Sequence, residues 1–195
     1  MSRSLPLSVL LAAALAAACA VDRSREITAL AAAARNGDVP GIVALAASGG
    51  TVVVNRADPG LNHWTPLLHA IHKGQLGSVA ALIKAGADVN LAAPGGVTPL
   101  MMAVGNGHTG IVRILLAAGA NPRVDGAELL ATAVSGGALT DLDNPLLGRC
   151  NTDVVRLLIE RAPDLRLEKN FRGHLAVRFA RWNRCDEALG LARYQ

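Results

Sequence analysis

Thr65-Pro66-Leu67 recurs as Thr98-Pro99-Leu100, and the same interval of 33 residues separates Gly74 from Gly107, Gly86 from Gly119 and Asp88 from Asn121. Four coincidences at one spacing define a repeat. A unit of this length cannot bury its apolar face alone, so copies must stack and complete one another's core.

The two clearest copies run from Trp64 to Asn90 and from Val97 to Pro122. Thr65 and Thr98 are suited to cap the start of a helix, with Pro66 and Pro99 in its first turn, where a missing N–H costs nothing. Leu67, Ala70 and Ile71, like Leu100, Ala103 and Val104, fall at i, i+3, i+4 and give each first helix one apolar stripe. Gly74 and Gly107 permit a turn into a second helix, which Gly86 and Gly119 end as left-handed caps. Thr-Pro-Leu, a mid-unit glycine and a closing Gly-Ala-Asp or Gly-Ala-Asn resemble the ankyrin repeat. The resemblance implies an all-α solenoid of about five helix-turn-helix units joined by hairpin loops.

In this register the repeats fall near 27–55, 64–96, 97–124, 127–166 and 171–195. In the first, the run Ile42, Val43, Leu45, Ala46 should end at Gly49-Gly50, which puts four extra residues in the connection from Thr51 to His63. In the fourth, about 13 residues at 138–150 are inserted between the two helices. The fifth is expected to cap the array, because Arg172, Arg178, Arg181, Arg184 and Arg193 give it a polar outer face.

Ahead of the array, residues 1–18 read as a secretion signal: Arg3 near the start, an apolar stretch from Leu5 to Ala18, and small residues at the end. The stretch is too short to span a bilayer. Ala16-Ala17-Ala18-Cys19 resembles a bacterial lipoprotein box, which would make Cys19 the lipid-bearing residue. Ala16 stands where that box usually has Leu, so ordinary cleavage after Ala18 or Ala20 stays open. Both routes deliver the domain to the periplasm. Cys150 and Cys185 then remain, and the register puts both in the turn between helices on the same edge of adjacent repeats. A disulfide is geometrically reasonable there; two unpaired thiols are the other reading. The net charge of +4 is too weak to name a partner, and nothing points to nucleic acid.

No nucleophile elbow, phosphate-cradling glycine loop, His-Glu-x-x-His or Cys-x-x-Cys occurs, so neither an enzyme nor a cofactor is expected. His69 and His72, with His63 upstream, are the nearest approach to a ligand cluster. The register turns His69 toward the core and His72 toward the concave surface, so convergence on a metal is not expected. His108 should hydrogen-bond backbone at its helix turn.

The resemblance implies recognition of another protein by the concave face, using positions before each Thr-Pro-Leu and the pair preceding each mid-unit glycine. Here these are Arg35 and Asn36, then Trp64, His72 and Lys73, then Val97, Gly105 and Asn106, then Ser135 and Gly136, and last His174, Trp182 and Asn183. Both tryptophans of the chain fall on this set, as anchors or as packing at the two ends. The layout also resembles exported immunity proteins against antibacterial toxins and proteins that support periplasmic catalase. The expected partner is an exported or envelope protein, met by a chain that is monomeric when unbound and touches the membrane only through Cys19. An envelope scaffold is the alternative.

Overall fold

Each Thr-Pro pair starts a helix as its chemistry suggests. Thr65 and Thr98 hold extended backbone, and their hydroxyls accept hydrogen bonds from the amides of Leu68 (3.3 Å) and Met101 (3.2 Å). Gly74 and Gly107 turn the chain at φ 67° and 68°, and Gly86 and Gly119 close the second helices at 92° and 93°. These are left-handed values that favour glycine.

A computed structural model describes residues 24–60, 62–124, 126–135 and 150–192. Its helices are α1 (24–36), α2 (Val39–Val54), α3 (Pro66–His72), α4 (Leu76–Lys84) and α5 (Pro99–Gly105). They continue as α6 (Thr109–Ala117), α7 (Gly126–Ser135), α8 (Thr152–Arg161), α9 (Phe171–Trp182) and α10 (Asp186–Ala192). Helices α3, α5, α7 and α9 each pair with the next even-numbered one. Inner helices α3, α5, α7 and α9 stack in a row, and outer helices α2, α4, α6, α8 and α10 form a second row behind them. One continuous core of Leu, Ile, Val and Ala runs between the rows, from Ile27 to Ala192. The array is the all-α repeat solenoid that the period demands.

Two ladders tie neighbouring repeats. The first uses the residue before each outer helix. Gln75 donates from Nε2 to the Arg35 carbonyl at 3.3 Å, and Asn151 donates from Nδ2 to the Gly107 carbonyl at 3.5 Å. The His108 ring instead packs on Gly74, where a Cβ would lie 3.0 Å from its Cε1. At the fourth step the contact is covalent: Cys150 and Cys185 form a disulfide, with Cα atoms 6.0 Å apart. The second ladder runs along the hairpins. Asn55 accepts from the Asp88 amide (2.7 Å) and donates to the Gly86 carbonyl (3.0 Å), and Asn90 repeats the pattern with Asn121 (2.8 Å) and Gly119 (3.2 Å). Arg123 ends it with a two-pronged ion pair to Asp164.

Two expectations are corrected. Helix α2 does not end at Gly49-Gly50: Gly50 kinks it at φ 64°, ψ −167°, and Thr51 to Val54 are helical. Burial of Val53 and Val54 explains the extra turn, while Val43, expected in the apolar run, is 58% exposed. Helix α9 begins at Phe171, where the fifth repeat is expected to start, and Asn170 caps it by accepting from the Gly173 amide at 2.8 Å. Gly173 is required there, since a Cβ would fall 1.9 Å from the Glu168 carbonyl oxygen. The inserted segment 138–150 lies, apart from Cys150, outside the described residues, as do Cys19 and the leader.

Candidate functional site

The inner row carries the expected contact positions at the ends of α1, α3, α5 and α9. Arg35 is half-buried, Asn36 and Lys73 are exposed, and His72 is exposed at the end of α3. Trp64 enters from the hairpin before α3. Its ring meets the imidazoles of His69 (centroids 5.5 Å) and His72 (5.2 Å), edge-on to the latter. It is half-buried against the core, so it is both packing and surface.

Beneath it lies a buried polar pair. His69 and Asp58 are 3% and 1% exposed, with Nε2 and Oδ2 3.6 Å apart and neither atom hydrogen-bonded. The other carboxylate oxygen accepts from the Gly60 amide (3.0 Å) and the Thr28 hydroxyl (3.3 Å), so Asp58 fastens the first hairpin to α1. Burial, then the charge of Arg35, hold His69 below the ordinary histidine pKa, although Asp58 pulls the other way. His72 is lowered by partial desolvation and by Lys73, and His108 by burial and by His72. The N-terminal half therefore holds the imidazoles of His69 and His72 neutral against Trp64 at neutral pH, the first buried and the second exposed.

This gives a pH prediction. A histidine whose folded pKa lies below its unfolded value binds its proton preferentially when unfolded, so stability is full above about pH 6.5 and falls as pH drops through that value. The urea midpoint should be lower at pH 5.5 than at pH 7.5, and the difference should shrink in His69→Gln. A midpoint that stays level or rises on acidification contradicts it.

Farther along, Val97 is half-buried and its carbonyl accepts from the Ala93 amide at 2.9 Å. Asn106 and Asn183 both serve as C-caps, donating to the Met102 and Phe179 carbonyls at 3.0 and 2.9 Å. Part of their hydrogen-bonding capacity is thus spent on the fold. Ser135 corrects the sequence expectation: it is fully buried, with its hydroxyl donating to the Thr132 carbonyl at 3.3 Å, so it does not face a partner. Its neighbour Gly136 lies outside the described residues. His174 is exposed but sits in the first turn of α9 rather than in a hairpin tip.

Trp182 ends α9 with 87% of its surface exposed, so it does not plug the end of the stack. Phe171, at the other end of α9, is 77% exposed and eleven residues away, which places it on nearly the same helix face. Phe171 is not among the expected contact positions, because the ankyrin pattern assigns none to the first residue of the fifth repeat. Among the described residues no group of three or more His, Cys, Asp or Glu side chains could hold a metal ion. The surface offers aromatic, imidazole and cationic contacts, which suit binding.

A sequence model built on three ankyrin repeat copies matches residues 7–93, and another built on many copies matches residues 82–135. This chain is an ankyrin repeat protein. No curated sequence matches it. The first match begins inside the segment expected to be a leader, and neither passes residue 135. Beyond that point α8, α9 and α10 continue the ankyrin stacking in structure, against α6, α7 and one another. Ankyrin repeats mediate protein–protein interaction, and their typical role is non-enzymatic.

Proposed function

We propose that this ankyrin repeat protein works in the periplasm, holding an exported partner along its inner helices. The observation that carries this is Trp182: a nearly fully exposed tryptophan on the last inner helix, in the same repeat position as His72 beside Trp64. Large aromatic side chains held open on a rigid surface are the usual energetic centres of an interface. The Cys150–Cys185 disulfide supports a compartment outside the cytoplasm, since such bonds persist in oxidising surroundings. The specific form we favour is antagonism of a secreted antibacterial toxin, because a small binder tethered through Cys19 meets such a protein as it arrives. Support of a periplasmic enzyme such as catalase would use the same groove.

Affinity capture from periplasmic extract tests the groove. Truncating an anchor tryptophan typically costs about 2 kcal/mol, so Trp64→Ala with Trp182→Ala should cut recovery of the partner by at least about tenfold. Equal recovery by both proteins rules out the groove assignment. Toxin challenge of cells with and without the protein then separates antagonism from enzyme support: only an antagonist protects.

A further inference from the structure

The outer row differs sharply along its length. Helices α2 (VPGIVALAASGGTVVV), α4 (LGSVAALIK) and α6 (TGIVRILLA) contain no carboxylate, and their charges are Lys84 and Arg113. Helices α8 (TDVVRLLIER) and α10 (DEALGLA) carry acids on the same side of the stack. Between α2 and α4 lies an open apolar groove of about 570 Å³, bordered by Val39, Val43, Ala47 and Ala80, with Lys84 at its rim. Val43 in its wall is 58% exposed, and Leu76, the first residue of α4, which packs toward Gly110 of α6, is 45% exposed. Asp38, at the turn edge, is engaged in capping α2 through the Gly41 amide at 2.9 Å.

Along these helices the surface combines exposed aliphatic side chains with the cations Lys84 and Arg113, with the Asp38 carboxylate confined to its turn edge, and such a surface suits an anionic lipid interface. Chain length adds a second constraint. Only residues 20–23 separate Cys19 from the described start of α1. Five Cα–Cα steps reach roughly 18 Å at full extension, so a lipid on Cys19 would hold the first repeat within that distance of the bilayer surface. We propose that the outer face of α2, α4 and α6 lies against an anionic membrane, leaving the inner row turned toward the periplasm. The proposal builds on the lipid-tether reading of Cys19, and the two can be tested apart.

A Cys19→Ser chain, recovered after leader cleavage, cannot be lipidated and isolates the face from the tether. It should sediment with vesicles of phosphatidylglycerol and phosphatidylcholine and not with phosphatidylcholine alone. Val43→Asp with Leu76→Asp should reduce that binding by about tenfold or more. Lys84→Glu with Arg113→Glu, which alters only exposed side chains, should do the same. No sedimentation of the Cys19→Ser chain, or unchanged sedimentation of either double variant, overturns the proposal. So does self-association of the Cys19→Ser chain that the same substitutions abolish, because a second copy would then cover the face. The mass of Cys19 in wild-type protein from membranes reads the tether separately: an unmodified cysteine removes the tether and leaves the vesicle result to stand or fall alone.

Discussion

Truncating Leu115 to alanine should lower the unfolding free energy by roughly 3–5 kcal/mol, the range for a fully enclosed leucine whose loss leaves a cavity. Leu115 has no exposed surface, and α6 packs against α4, α5 and α8. Its position in the stack matters as much as its burial. Stability in a repeat array is close to a sum of unit terms and neighbour interfaces, so damage at the third repeat weakens the coupling between the two ends. The urea transition should therefore move to lower concentration and broaden, as the repeats on either side begin to unfold apart. Val43→Ala, at an exposed position on α2, should change the midpoint little. A Leu115→Ala loss below about 1 kcal/mol would show that the outer helices do not share one core.

Removing the Cys150–Cys185 bond should have the second largest effect. The bond closes a loop of 35 residues, worth about 4 kcal/mol in the chain-entropy model and commonly 2–4 in practice. Here the loss should be local. The bond replaces, between the fourth and fifth repeats, the hydrogen bond that Gln75 and Asn151 make at earlier steps. Apolar packing of α9 on α7 and of α10 on α8 carries the core across that junction, while its ion pairs, Arg156 with Glu187 and Arg172 with Glu128, lie at the surface and contribute little. Cys150→Ser with Cys185→Ser should therefore raise amide exchange in α9 and α10 while α3 to α6 keep their protection. Uniform loosening along the chain, or no change, means that the bond does not hold the cap in solution.

Much of the architecture was legible because the repeat imposes the same demand on every copy. Thr65, Pro66 and Gly74 must do what Thr98, Pro99 and Gly107 do, so one copy checks the other. Legibility fails where a copy departs from the template. Gly49-Gly50 reads as a stop, yet burying Val53 and Val54 outweighs it and carries the helix on past a kink. Ser135 occupies a surface position in the register and is enclosed all the same. Asp58 beneath His69 could not be foreseen, because its partners lie eleven and thirty residues away across a hairpin of unusual length.

The linear order of residues by itself determined the period, the helix pairs, the places where glycine must turn left-handed and the ankyrin family, since these depend on local geometry and on spacing along the chain. Which tryptophan stands open, which serine is buried, and which of the two readings of Cys150 and Cys185 holds were decided only in three dimensions. Exposure and pairing depend on what the neighbouring repeat places opposite each side chain, and a repeat's own sequence does not contain its neighbour.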